Sequence, residues 1–400
     1  MQDFFLHMPT QIFFGPSKLT AFAEITASLG IKALLVTGGG SVERLGYLGL
    51  VSDSLSGAGI ELCHFAGIEP NPLAATVNQA ADQGRAADVQ FVIALGGGSV
   101  MDAAKAIAAL LENGDSDIWP YVKGEPKFGA LKSAVPVVAI PTTAATASEV
   151  TPYSVISKPE VNGKSFIAAE CLKPYACWIN PVFTLDVPRV VTQDGAADIF
   201  SHVLENYITG GSDAVLSDRY CEAVMLTVLE SLPALQTKPN SLPHRSSLAW
   251  CSTLALNGLQ QAGRLDAPFP LHMIEHALSG YNHELAHGRG LATLFPAYFQ
   301  WLWENGRARD RIARLGTTLF GLQGDLDECG RGFMSEFSQW LIDNELYQSL
   351  EAIGIDTELF EEIAAEVVKI HGEDGTMDVL GPFTKGDIVD IFELTESQVP

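Results

Sequence analysis

The sequence predicts an α/β layer domain followed by an all-helical domain, and three observations carry that reading. Short apolar runs in the first half each stop at a turn signal: Ile31 to Thr37 at Gly38-Gly39-Gly40, Phe91 to Leu95 at Gly96-Gly97-Gly98-Ser99, and Val135 to Ile140 at Pro141-Thr142-Thr143. Such runs read as strands of a parallel sheet covered on both faces. Helix-like segments such as Val100 to Leu111 lie between them, and strand–helix–strand order implies helices layered on that sheet. After about Asp186 the glycine-ended runs stop, and helical segments follow one another: Gly195 to Thr209, Ser217 to Leu235, Ser246 to Gln261, Leu271 to Gly280, Arg309 to Phe320 and Gly332 to Asn344.

A chain of 400 residues exceeds one hydrophobic core, so two domains are expected, 1–186 and 187–400. Apolar residues make up 47% and charged residues 18%, which suits a large core and excludes wholesale disorder. A formal net charge of -24 repels nucleic acid and anionic lipid. No apolar stretch is long and uncharged enough to span a bilayer, and the N-terminal residues lack the basic-then-apolar pattern of a signal peptide. The six cysteines form no C-x-x-C pair, so a reduced, cytoplasmic protein is expected.

Each strand end has chemistry of its own. Gly96-Gly97-Gly98-Ser99 lies between a buried strand and a helix. Glycine lets the backbone approach a ligand, and the helix start offers free N–H groups and a positive dipole end. A pyrophosphate fits there. Any tight strand-to-helix turn favours glycine, but Gly38-Gly39-Gly40-Ser41 and Thr142-Thr143 close two further strands, and in open α/β sheets ligands lie outside the carboxyl ends of strands. The pattern is not G-x-G-x-x-G, so the nucleotide mode differs from the ordinary one. Asp102, in the first helical turn, either complements the helix dipole or faces the cofactor and the reacting centre.

The second half concentrates histidine. Four of the nine, His272, His276, His283 and His287, fall within sixteen residues. Asp198 and His202 are spaced i,i+4, which puts them on one helix face, and His272 and His276 repeat that spacing. Imidazole with carboxylate and no thiolate suits Fe²⁺ or Zn²⁺. A lone buried histidine is usually just packed and hydrogen-bonded. The set Asp198, His202, His272 and His287, drawn from two such helices, reads instead as a metal site with room for substrate. His283, in the polar stretch Tyr281 to His287, reads as a solvated loop residue.

The segments His7 to Gly15 (HMPTQIFFG), Ala94 to Ala108 (ALGGGSVMDAAKAIA), Pro141 to Ser157 (PTTAATASEVTPYSVIS), Gly195 to Tyr207 (GAADIFSHVLENY) and His272 to Pro296 (HMIEHALSGYNHELAHGRGLATLFP) resemble, nearly end to end, the iron-containing (group III) alcohol dehydrogenases, and within them the aldehyde-reductase and butanol-dehydrogenase branch. The resemblance implies a Rossmann-like N-terminal domain, a helical C-terminal domain, and the dehydroquinate synthase-like architecture with the active site in the cleft. It implies metal ligation by Asp198, His202, His272 and His287, with His287 favoured over His283 by the following Gly288. It also implies proton transfer through His276, pyrophosphate contacts at Gly97, Gly98 and Ser99, nucleotide contacts at Thr142 and Thr143, and Lys164 near the cofactor. Members are usually dimers or larger homo-oligomers. The chain departs from the family pattern where G-T-G-S-E becomes Ala145-Thr146-Ala147-Ser148-Glu149, and where Asn180-Pro181 replaces Asp-Pro.

The function implied is reversible hydride transfer between a nicotinamide cofactor and a small primary alcohol or aldehyde, with one divalent metal, Fe²⁺ or Zn²⁺. Tyr153, Phe166 and Leu278 are candidates for the apolar substrate pocket. An acid after the first strand would bind a ribose 2′-OH and repel a 2′-phosphate. Gly38-Gly39-Gly40-Ser41 offers room and donors instead, so NADP(H) is expected to be preferred, with NAD(H) as the alternative; Arg44 offsets Glu43. Competing readings are a polyol dehydrogenase or lyase of the same fold, a non-catalytic nucleotide- or metal-binding protein, and a metal hydrolase. The hydrolase leaves the glycine turns without a use.

Overall fold

A computed structural model describes residues 1–211 and 213–398. The chain divides into two compact units, Met8–Val187 and a second comprising Met1–His7 with the chain from Pro188 onward. The boundary expected at 186/187 thus stands beside one at 187/188, and the first seven residues cluster with the later unit.

In the first unit the elements run β1 (Gln11–Phe14), α1 (Leu19–Ala27), β2 (Lys32–Gly38), α2 (Ser41–Arg44), α3 (Tyr47–Gly57), β3 (Glu61–Ile68), α4 (Ala74–Ala86), β4 (Phe91–Gly96), α5 (Gly98–Asn113), β5 (Val137–Pro141), β6 (Tyr153–Lys158), β7 (Gly163–Ala168) and β8 (Ala176–Ile179). Six strands form one parallel sheet in the order β1-β8-β5-β4-β2-β3. β4 and β5 are buried at every residue, as strands covered on both faces must be. One face packs Leu35, Phe91, Ile93, Leu95 and Trp178 against Phe22, Val51 and Leu55 of the flanking helices. β2, β4 and β5 are neighbours, with Thr37 paired to Leu95 and Gly96 to Pro141, so the three strand ends singled out in the sequence lie side by side. The antiparallel hairpin β6–β7, not foreseen from the sequence, stands apart from the sheet.

The second unit contains α6 (Arg189–Thr209), α7 (Val215–Thr237), α8 (Leu242–Ala255), α9 (Pro270–Tyr281), α10 (His287–Glu304), α11 (Arg309–Phe320), α12 (Leu326–Asp343), α13 (Phe360–His371), β9 (Thr376–Asp378), β10 (Pro382–Thr384) and α14 (Lys385–Gln398). The expectation of an all-helical domain needs one correction, because β9 and β10 form a short antiparallel ribbon. A second correction concerns the helix expected over Ser246 to Gln261, which ends at Ala255. Asn257 Oδ1 accepts from the Leu259 N–H, Gln260 Oε1 accepts from the Gly258 N–H, and Gly258 takes φ +99°, so side-chain turn chemistry outcompetes the helix. α6 is the central rod, buried at every residue from Thr192 to Thr209, including Asp194, Asp198, His202 and Glu205. Among the described residues no helix is long and apolar enough to cross a membrane.

Candidate metal centre and dinucleotide cradle

The metal-ligating residue types meet around one oxygen. Asp198 Oδ1 lies 3.6 Å from His202 Nδ1, 3.7 Å from His272 Nε2 and 3.7 Å from His287 Nε2. The His202 and His272 rings stack at 4.6 Å, and His272 and His287 stand 5.1 Å apart. Asp198 and His202 come from one face of α6, His272 from the first turn of α9, and His287 from the first residue of α10. Asp198 Oδ1, His202 Nδ1 and His272 Nε2 are buried without a hydrogen-bond partner. Orphaned polar atoms in a dry interior are costly unless something binds them. A divalent ion fits: with bonds of about 2.0–2.2 Å, tetrahedral ligands sit roughly 3.3–3.6 Å apart. His283 belongs to neither group of buried ligand-type side chains found around these helices.

Two carboxylates that the sequence reading passed over orient the imidazoles. The Nδ1–H of His272 donates to Glu205 Oε1 at 2.5 Å, while Glu205 also accepts from the Leu271 N–H at 2.7 Å and the Ser201 hydroxyl at 3.0 Å. The Nδ1–H of His287 donates to Glu275, which also accepts from the Ser279 hydroxyl. Each bond fixes the tautomer that leaves Nε2 facing Asp198, the usual supporting arrangement of a metal-bound histidine. The signal was present: Glu205 follows His202 by three residues, and Glu275 follows His272 by three, a spacing that puts each acid on the same helix face as a histidine of the set.

Electrostatics match a cation. Burial pushes the Asp198 carboxyl up, but His202, His272 and His287 outweigh it and bring it down to about 2. Burial takes His202 down to about 3, with Asp198 opposing. Burial also lowers His272, yet Glu205 and Asp198 override it and raise the imidazole to about 10. Buried Asp198 and Glu205 therefore favour a cation at His272, where a metal ion would take the place of the proton.

Two glycines admit the last histidine. A Cβ on Gly288 would stand 2.5 Å from the Asp194 carbonyl carbon, and one on Gly290 would stand 2.7 Å from Glu275 Cγ. Gly288 thus lets the start of α10 press onto α6 one turn before Asp198, and Gly290 makes space for the carboxylate that holds His287. Arg289, between them, donates to Asp194 Oδ1 at 2.9 Å. His276 lies beside this group, its ring 5.4 Å from His287 and 6.5 Å from His272, and it is buried. Leu278, expected to line a pocket, is fully buried in α9 and cannot line an open one.

In the first unit, α5 starts at Gly98 directly after β4, with the N–H groups of Val100 and Met101 returning to the Gly97 carbonyl. Helix geometry leaves the Gly98 and Ser99 N–H groups without intrahelical acceptors. Thr143 and Thr146 fold over this turn: a Cβ on Gly97 would meet Thr143 Oγ1 at 3.0 Å, and one on Gly98 would meet Thr146 Cγ2 at 2.5 Å. Only glycine fits. Thr142 is buried, its N–H donating to the Gly96 carbonyl at 3.0 Å. Gly39 and Gly40 face open space, Gly40 takes φ +96°, and Ser41 opens α2 exposed beside Glu43 and Arg44. Lys164 is buried on β7, opposite Ser157. Tyr153 and Phe166 pack edge to face at 6.0 Å on the hairpin.

Asp102 has a local task. Its Oδ1 accepts from the Ser148 hydroxyl at 2.5 Å and its Oδ2 from the Val155 N–H at 3.0 Å, tying α5 to the segment after β5. The carboxylate is engaged by the fold, so the geometry adds anchoring of this loop to the two roles read from the sequence, complementing the helix dipole or facing the cofactor and the reacting centre. Lys105, fully buried one turn on, is a residue the sequence reading missed. Ala147 sits at φ +54° in the same loop, a left-handed conformation that explains the glycine of the family pattern at this place.

Comparisons with known proteins identify the family. Residues 9–181 match the model of the iron-containing alcohol dehydrogenases, and residues 192–395 that of the Fe-containing alcohol dehydrogenase family, C-terminal. The chain is 33% identical over 396 residues to the NADH-dependent butanol dehydrogenase B of Clostridium acetobutylicum, covering 98% of this chain and 99% of that protein. It is 35% identical over 316 residues to the NADPH-dependent aldehyde reductase YqhD of Escherichia coli, covering 79% of each. The crystal structure of NADH-dependent butanol dehydrogenase A from Thermotoga maritima superposes with a TM-score of 0.92 at 31% identity, covering 99% of each chain. With a glycine-turn cradle in one unit and an Asp-His cluster in the other, the chain belongs to the iron-containing alcohol dehydrogenases, a family of oxidoreductases.

Proposed function

We propose that the protein is a metal-dependent alcohol dehydrogenase and aldehyde reductase, moving hydride reversibly between NADP(H) and a small primary alcohol or aldehyde. The observation that carries this reading is the convergence of His202, His272 and His287 on the orphaned Asp198 Oδ1. These four side chains hold one divalent ion, iron or zinc, which when bound supplies a Lewis acid for the carbonyl oxygen. Glu205 and Glu275 keep the His272 and His287 rings in register for it. The Gly98 and Ser99 N–H groups receive the pyrophosphate at the positive end of α5, with Gly97, Thr142 and Thr143 shaping the turn. Beyond Gly38 at the strand end, Gly39 and Gly40 leave space and the exposed Ser41 a hydroxyl donor for a 2′-phosphate, and Lys164 would lie near the nucleotide. His276 moves the proton at the substrate oxygen through a ring nitrogen. No side-chain nucleophile is required, because the cofactor supplies the hydride.

Relatives named as NADH-dependent butanol dehydrogenase and as NADPH-dependent aldehyde reductase bracket the substrate class and leave the cofactor to measurement. The test is a panel of short and medium aldehydes, with NADPH and NADH, on protein of known metal content. We expect consumption of NADPH matched to alcohol formed, and a higher kcat/KM with NADPH than with NADH. A clear NADH preference overturns the cofactor assignment. In paired variants, His287→Ala should lose metal and turnover while His283→Ala keeps both; the opposite outcome reassigns the fourth ligand.

A further inference from the structure

Lys105 is the one charged side chain of α5 that points wholly into the fold, with no exposed surface. Its Nζ donates to three acceptors: Ser148 Oγ at 2.8 Å, Thr151 Oγ1 at 3.2 Å and the Tyr153 carbonyl at 2.8 Å. The Ser148 hydroxyl in turn donates to Asp102 Oδ1, and the Asp102 carbonyl accepts from the Ser154 hydroxyl at 2.7 Å. An ammonium has three protons, so all three are used. Every acceptor lies in the segment that follows β5, and that segment carries Thr143 and Thr146, the side chains folded over Gly97 and Gly98.

We propose that Lys105 is a positioning residue for the dinucleotide: acting through Ser148, it clamps the Thr142–Tyr153 segment onto the first turn of α5 and so sets the shape of the phosphate cradle. This rests on the reading that Gly97, Gly98 and Ser99 receive the pyrophosphate. Lys105 touches no ligand itself. Removing it leaves the buried Ser148 and Thr151 hydroxyls and the Tyr153 carbonyl without the ammonium that gathers them, a situation relieved by movement of the loop that carries all three. Thr143 and Thr146 then leave the glycine turn, and the anion loses the fit of its cradle. The metal-bearing helices belong to the other unit and keep their ligands.

The test uses metal-loaded enzyme and two variants, Lys105→Met and Ser148→Ala. Dinucleotide binding is read directly by NADPH fluorescence titration, beside kcat, cofactor KM and metal content. The expected result for Lys105→Met is a 10- to 100-fold weaker Kd for NADPH, a matching rise in cofactor KM, kcat at saturating cofactor within about threefold, and unchanged metal. Ser148→Ala cuts the link to Asp102 while leaving Lys105 its other two acceptors. It should weaken Kd in the same direction by a smaller factor, and it carries the test should Lys105→Met not fold. Wild-type Kd in both variants, or a fall in kcat with Kd unchanged, overturns the inference and leaves the proposed function standing. A parent enzyme that binds neither NADPH nor NADH overturns both.

Discussion

Gly288→Ala is the substitution that tests how the proposed metal centre is assembled. The added Cβ would lie 2.5 Å from the carbonyl carbon of Asp194 and 3.0 Å from its Cα, with the carbonyl oxygen nearer still. Carbon atoms in contact sit about 3.5 Å apart, so the start of α10 must retreat from α6 by roughly 1 Å. The obstacle is backbone, and no rotamer change removes it. His287, one residue earlier, is carried along, and its Nε2 departs from a separation of 3.7 Å to Asp198 Oδ1. Metal–ligand distances tolerate only about 0.2 Å, and a 1 Å misplacement of a reacting group costs on the order of a hundredfold in rate. The expected outcome is a folded protein, destabilised by about 1–3 kcal/mol from overpacking, that loses its metal to a mild chelator and retains about 1% of kcat/KM or less. Metal analysis after dialysis, circular dichroism and aldehyde turnover read these separately. Gly49→Ala is the control: it lies in α3 with nothing near its Cβ, and the same change there should stabilise by about 0.5–1 kcal/mol. Full metal occupancy and turnover in the Gly288 variant would refute the argument.

Three further outcomes follow from the same geometry. Glu275→Gln, which keeps the shape but weakens the hold on His287 Nδ1, should lower metal affinity by about 10- to 100-fold with little change in unfolding temperature; unchanged affinity in a chelator competition would count against the supporting role. Gly98→Ala collides chiefly with Thr146, at 2.5 Å from Cγ2 and 2.8 Å from Oγ1, so it should raise the cofactor KM at least tenfold, and Thr146→Ala in that background should recover most of the loss; additive KM effects would show that the collision is not the cause. Burial brings the Lys105 ammonium down to about 8, with Asp102 and Glu149 opposing, whereas the unfolded chain keeps that proton to about 10.5. Between those pH values the unfolded state binds more protons, so stability rises with pH by up to about 3 kcal/mol. Urea unfolding of the parent relative to Lys105→Met, at pH 7.5 and at pH 10, should display that gain, and a parent that loses ground with rising pH would contradict it.

Much of the fold was legible because its signals are local. Gly96-Gly97-Gly98-Ser99 after an apolar run marks a strand end and a helix start by backbone conformation alone, and the i,i+4 pairing of Asp198 with His202 follows from helix geometry. The pieces that escaped are those without periodicity or bulk. β1 and β8 span four residues each, β3 mixes exposed and buried positions at the sheet edge, and the β9–β10 ribbon has three residues a side. At that length pairing with a neighbour, not propensity, makes a strand.

What the sequence by itself determined is the inventory: a nucleotide-type turn in the first half, a histidine-carboxylate set in the second, and a family resemblance quoted motif by motif. What only the tertiary structure decided is which of these groups share a point in space. The convergence of His287 on Asp198 depends on a helix crossing that Gly288 permits, a contact between residues 94 positions apart. The use of Glu205 and Glu275 to hold imidazoles, and of Asp102 and Lys105 to hold a loop, depends on what burial places beside them. A charged side chain reads alike in sequence whether it faces water or the interior. Inside, each charge must be satisfied by a specific neighbour, and that neighbour is chosen by packing across the chain.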